Sequence, residues 1–263
     1  MKVSQKYRTA LMATTMLILS LGLNARGFAQ ASSPRGVRNI VLVHGAWADG
    51  SCWSKVIALL QAKGFNVVAV QNPLTSLADD IAATKRVIAL QDGPIILVGH
   101  SYAGVVITEA GNDPKVTGLV YVAAFAPAEG ESINSVSKPY PPAPLGSELR
   151  LDAKGFLTAT RKGIAEDMAQ DLPHMEQQIL TATQGQTAAA VFGATVTTAA
   201  WKSKPSWAVI ADHDRAIPPE LEKEEAAAIK ATSVILPSNH LAMMSHPREV
   251  AEVIEQAAAR ANK

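Results

Sequence analysis

The chain has 263 residues, 48% of them apolar, 18% charged and 5% aromatic. That length suits one large α/β domain, and the apolar content is enough to bury a sizeable core, which excludes wholesale disorder. Its 24 basic and 23 acidic residues nearly cancel, and no Lys/Arg run is interleaved with aromatics, so nothing in the charge pattern points to nucleic acid.

At the N-terminus, Lys2, Lys6 and Arg8 precede an apolar run from Ala10 to Leu23, followed by Ala29-Gln30-Ala31. A charged segment, an apolar segment and small residues at alternate positions form the pattern of a secretory signal peptide, with cleavage expected after Ala31. The run is shorter than the roughly 20 residues of a membrane span and is broken soon after by Asn24 and Arg26, so no stable membrane anchor is expected. Residues 1–31 are therefore read as a leader and residues 32–263 as a single exported domain, periplasmic or secreted. Loss of the leader removes four basic groups and no acidic one, taking the formal charge from +1 to −3. Cys52 is the single cysteine, which leaves no internal disulfide and no redox pair. No zinc-ligand spacing occurs, and neither a metal nor an organic cofactor is implied.

After residue 38, short β-branched runs recur: 40–43, 67–70, 95–98, 119–122, 207–210 and 234–236. Each is nearly continuous in apolar residues, as expected of strands buried on both faces of a parallel sheet. Segments 53–62, 77–90 and 247–259 have helical spacing and end at Gly, Asp-Gly-Pro or the terminus. The predicted architecture is α/β, with helices on both faces of a mostly parallel sheet. Residues 126–204 break the rhythm. They hold no strand of comparable strength, an extended loop at 139–144 and two short helices at 164–172 and 175–183, and are read as a helical lid insertion.

The sharpest chemical signal is Ile95-Ile96-Leu97-Val98-Gly99-His100-Ser101-Tyr102-Ala103-Gly104, a buried strand running through small residues into a helix. A serine hydroxyl needs exposure, a general base and amides that accept developing negative charge. A strand-to-helix elbow supplies the exposure and the Tyr102 N–H. The strict G-x-S-x-G pattern fails by one methyl, at Ala103. The first strand ends Val43-His44-Gly45-Ala46-Trp47, where a second oxyanion donor is expected, and Ala46 is the candidate. His44 and His100 are read as structural. The base is expected after the last strand, where Pro237-Ser238-Asn239-His240 offers His240; His246 precedes Pro247 and reads as the start of a helix. The preceding strand runs into Asp212-His213-Asp214-Arg215-Ala216-Ile217-Pro218, with two carboxylates at its end. Chain order is thus Ser, Asp, His.

These three ordered signatures, over residues 38–260, resemble the α/β-hydrolase superfamily. HGAW with Cys52-Trp53, DRAIPP and the late NHLAMMSHP are similar to the compact esterase branch that includes plant methylesterases and hydroxynitrile lyases. In that branch the acid lies four residues before the proline, which maps onto Asp214. The chain departs from the pattern at Ala103 and at Asn239, where relatives often place Gly or Ser. The resemblance implies a serine hydrolase acting on small-molecule carboxylic esters without a cofactor. A perhydrolase or a lyase on the same triad is the alternative, although lyases of the branch carry Thr and Lys where this chain has Gly45 and Leu241. A non-catalytic exported binding module would be expected to have lost a triad member, and none is lost. Trp47, Phe125, Phe156, Phe192 and Trp201 are the candidate substrate contacts. Arg150, Arg161, Lys162, Glu166 and Asp167 are read as a solvated outer face of the lid.

Overall fold

The computed structural model describes residues 36–261. The leader lies outside the described residues. All six expected strands form: β1 (Asn39–Val43), β2 (Asn66–Val70), β3 (Ile95–Ser101), β4 (Val116–Ala124) and, beyond three short lid strands, two further core strands. The lid strands are β5 (Leu149–Leu151), β6 (Phe156–Ala159) and β7 (Thr187–Ala188), and the core resumes with β8 (Ser206–Ala211) and β9 (Thr232–Leu236). The core sheet has the order β2-β1-β3-β4-β8-β9 and every pairing in it is parallel.

Burial on both faces holds for the inner strands β1, β3 and β8, in which every residue is buried. It fails for the edge strands β2 and β9, where most residues are half-buried or exposed. An edge strand has a neighbour on one side only, so its apolar run continues the sheet without complete cover.

Crossover helices supply the layers. α1 (Ser54–Ala62) packs against the C-terminal helix Pro247–Arg260, and α2 (Leu77–Ala89) packs against α3 (Ala103–Ala110). Right-handed crossovers place the two pairs on opposite faces. The terminal helix buries Val250, Ala251, Val253, Ile254, Ala257 and Ala258 along one stripe. α2 starts where the Ser76 hydroxyl accepts the Asp79 N–H, with Asp79 and Asp80 in the first turn. No helix of the described residues is long and apolar enough to cross a membrane.

The lid corrects one expectation. Besides the helix His174–Thr183 and a π-helical turn at Ile164–Met168, it contains the antiparallel sheet β5-β6-β7. These strands are two to four residues long, too short for a run of apolar residues to reveal them. Their one local signal is the loop Asp152–Gly155: the Asp152 carboxylate accepts the Lys154 and Phe156 N–H groups and Gly155 takes φ +85°, a hairpin turn.

Candidate active site

β3 ends on Ser101, which sits at φ +55°. For a non-glycine residue this is a strained conformation, and it turns the side chain away from the sheet at the point where β3 passes into α3. Register against β4 shifts at the same place, between His100 and Ser101. Close approach on both sides of the elbow requires glycine. A Cβ at Gly104 would stand 1.9 Å from the Phe125 carbonyl oxygen, and one at Gly45 would stand 2.7 Å from Cβ of Ser101. Gly45 thus brings the end of β1 against Ser101, and Trp47, at φ +54°, turns the chain back. The N–H groups of the buried residues Ala46 and Tyr102 have no acceptor among the described residues, nor does the Ser101 hydroxyl have a partner there.

His240 follows β9, and its Nδ1 lies 2.5 Å from Oδ2 of Asp214, both side chains being buried. The other Asp214 oxygen accepts the N–H groups of Ala216 (2.6 Å) and Ile217 (2.9 Å), which fixes the carboxylate from behind. Of the two carboxylates at the end of β8 it is therefore Asp214 that meets the histidine; Asp212 is exposed and pairs with Lys223 at 2.7 Å. Ser101 and His240 line one cavity of about 420 Å³.

Two other histidines brace this arrangement. His100 donates from Nε2 to the His240 carbonyl (3.0 Å), and burial lowers its pKa well below the usual imidazole range. His44 donates from Nδ1 to the Gly45 carbonyl and accepts the Asn72 N–H at Nε2, both at 2.9 Å, so it too is held neutral, with burial the main cause. Their structural reading holds.

Trp47, Phe125 and Phe192 line the cavity, and Trp47 stacks on Phe192 with ring centroids 5.6 Å apart. Phe156 and Trp201 do not line it. Alternation along β6 sends Leu157 into the cavity in place of Phe156, while the Trp201 indole donates to the Pro127 carbonyl. Among the described residues, no Asp, Glu, Lys or Arg lines the cavity. Arg150, Arg161, Lys162 and Glu166 are exposed as expected, whereas Asp167 is buried against Arg215.

Sequence reasoning missed the helix Pro219–Ala228, whose inward face carries two buried carboxyls. Glu222 accepts the Ala211 N–H at 3.0 Å, and Glu225 accepts the Ala126 N–H at 2.9 Å; the other oxygen of each has no hydrogen-bond partner among the described residues. Burial, reinforced by the charge on Asp214, holds the Glu222 carboxyl well above its ordinary range. Burial pushes Glu225 up to about 8. The raised value keeps Glu225 mostly protonated at neutral pH. Glu220, Glu222, Glu224 and Glu225 fall within six residues, and nothing local in such an acidic run marks which side chains turn inward.

With this geometry in view, the comparisons with known proteins are specific. Residues 40–253 match the alpha/beta hydrolase family, and the chain belongs to it. It is similar to a carbendazim hydrolyzing esterase from Nocardioides sp. (strain SG-4G), 35% identical over 121 residues, which cover 40% of this chain and 49% of that protein. It is similar also to methylesterase 7 of Arabidopsis thaliana, 36% identical over 107 residues, covering 34% and 41%. The chain thus aligns with about half of the first and less of the second. Among solved structures, a pyrethroid hydrolase from Sphingobium faniae JZ-2 superposes with a TM-score of 0.72 at 23% identity, covering 86% of this chain and 100% of that one, a likeness of fold.

The raised Glu225 pKa has a measurable consequence. A carboxyl whose folded pKa exceeds its unfolded value near 4.3 contributes stability that is complete below that value and is lost as pH rises towards about 8. Glu225→Gln keeps an acceptor for the Ala126 N–H and cannot ionise. In urea denaturation, its advantage over the parent should grow between about pH 5 and pH 8, at up to about 1.4 kcal/mol per pH unit. A difference independent of pH would show that the Glu225 carboxyl is not displaced.

Proposed function

We propose that this chain is an exported serine hydrolase that cleaves small carboxylic esters through an acyl-enzyme. The observation that carries the reading is the His240–Asp214 hydrogen bond in the wall of the cavity that also holds the strained Ser101. The names of the carbendazim and methyl esterases support the ester as the bond attacked.

In this mechanism Ser101 Oγ attacks the ester carbonyl while His240 Nε2 takes its proton. The tetrahedral oxyanion lies against the N–H groups of Ala46 and Tyr102, which have no acceptor among the described residues. His240 returns the proton to the leaving alcohol, and water, deprotonated by the same imidazole, releases the acid. Asp214 keeps the proton on Nδ1, so that Nε2 is free to act as base, and stabilises the imidazolium. The backbone N–H pair on Oδ1 of Asp214 holds the carboxylate at the right angle for this.

A serine-directed phosphonate should label Ser101 and no other residue, and Ser101→Ala should lose both labelling and ester hydrolysis. Asp214→Asn should lower kcat by about 10⁴-fold, as in the serine-protease case from which this figure comes. Asp212→Asn, which breaks only an exposed pair with Lys223, should stay within about threefold. The reverse ranking would exchange the two roles.

The uncharged cavity supports neutral esters, their acyl and alcohol groups resting on Trp47, Phe125, Leu157 and Phe192. Neutral p-nitrophenyl esters should exceed carboxylate-bearing analogues in kcat/KM. A preference of about tenfold or more for the anionic series, about 1.4 kcal/mol in transition-state binding, would mean that a lid cation reaches the substrate.

Export is supported by the leader pattern of residues 1–31. Intact mass of the protein recovered from its host should correspond to a start at Ser32. A soluble cytoplasmic form retaining Met1 would refute export.

A further inference from the structure

Asn239, one of the two residues at which the chain departs from its resembled branch, is completely buried. All four of its polar groups are engaged, its carbonyl accepting the Ser238 hydroxyl at 3.0 Å. Its backbone N–H donates to Oδ2 of Asp171 at 3.0 Å, its side-chain amide donates to Oδ1 of the same carboxylate, and its own Oδ1 accepts the Leu241 N–H at 2.8 Å. His240, between them, has its carbonyl held by His100. The backbone is thus fixed immediately before, at and immediately after the imidazole.

Asp171 belongs to the lid, 68 residues away in sequence, and its neighbours grip the other loop of the site. Gln170 donates from Nε2 to the His213 carbonyl at 2.7 Å, and Asp167 accepts from Nε of Arg215 at 2.8 Å with its carboxylate almost fully buried. His213 and Arg215 flank Asp214. One five-residue segment of the lid, 167–171, therefore holds the residues beside both the acid and the base.

We infer that Asp171 is a positioning residue for the proposed hydrolysis, setting His240 through its two-point hold on Asn239, with Gln170 and Asp167 doing the same for the Asp214 loop. The inference rests on the Ser101–His240–Asp214 reading. A base placed about 1 Å off its partner costs orders of magnitude in rate, which gives a two-point hold beside it a catalytic consequence.

Exchange of the pair tests it. Asn239→Asp sets two carboxylates against each other, and Asp171→Asn removes one of the two acceptors. In the double exchange the amide at position 171 donates to the carboxylate at 239 and its oxygen accepts the 239 N–H, so both contacts return. Four quantities are measured on the full mature chain: the rate constant of Ser101 phosphonylation, kcat and KM with p-nitrophenyl acetate, and Tm. Asn239→Asp is expected to slow phosphonylation and kcat by roughly tenfold or more, with KM within about threefold, and the double exchange to recover most of the loss. If Asn239→Asp does not fold, Asp171→Asn alone should show the same split between kcat and KM. Folded single variants with parental phosphonylation rates, or a double exchange no faster than the singles, would overturn the assignment. Ser101→Ala, run alongside, separates the two failures: if it keeps esterase activity, the hydrolase reading itself falls, whereas if it is inert and the exchanged pair behaves as the parent, only the role of Asp171 falls.

Discussion

A serine hydroxyl at the end of a fully buried parallel strand becomes accessible only if the backbone there reverses sharply, and Ser101 does so at φ +55°. A non-glycine residue in that region costs on the order of 1–3 kcal/mol and persists only where its surroundings leave no alternative. Here β3 is hydrogen-bonded on both sides, by β1 and β4, and α3 follows directly behind. The space for the reversal comes from the absence of side chains at Gly45 and Gly104. It also explains why Ala103 is tolerated where the strict elbow pattern has glycine: the backbone collision that forbids a methyl belongs to Gly104, whose added Cβ would meet the Phe125 carbonyl.

The acid side of the site depends on a different economy of charge. Asp214 is buried beside Glu222, with Glu225 one turn further along the same helix face. Three ionised carboxylates could not share that volume, because each lacks the water that would screen it. The chain resolves this by giving Asp214 two backbone N–H donors and the His240 ring. Glu222 and Glu225 receive one N–H each, and burial raises both carboxyls above their ordinary range. The carboxylate with the most donors is thereby the one that touches the imidazole.

Local patterning carried the six core strands, the elbow and the two loops that hold Asp214 and His240, because each is encoded within ten or so consecutive residues; the Asp-before-His order follows from the order of those loops. Contacts between segments were not legible in this way. Nothing near Asp171 announces that it reaches Asn239, and Asp167 sits among charged residues whose helical spacing reads as solvent-facing, although only its neighbours are. The lid strands escaped for another reason: with two to four residues each, they are defined by their pairing, β5 with β6 and β6 with β7, more than by their composition. Phe156 was chosen for its size, yet strand alternation, which needs the pairing to be known, selects Leu157 for the cavity.

The same pairing ties the lid to the other end of the site. Trp47 donates its indole N–H to the Leu157 carbonyl in β6, at 3.1 Å, and its backbone N–H to the Thr187 hydroxyl in β7, at 3.2 Å. Trp47 is also the residue at φ +54° that shapes the turn carrying Ala46. The lid sheet therefore bears on the Ala46 amide while segment 167–171 bears on His240 and Asp214. Displacing β6 and β7 would break both Trp47 bonds and release a left-handed backbone conformation that Trp does not hold unaided. The insertion between β4 and β8 is thus as much a part of the reaction centre's frame as the sheet, and a lid exchanged for one of similar volume but different contacts would leave the cavity lined and the centre slack.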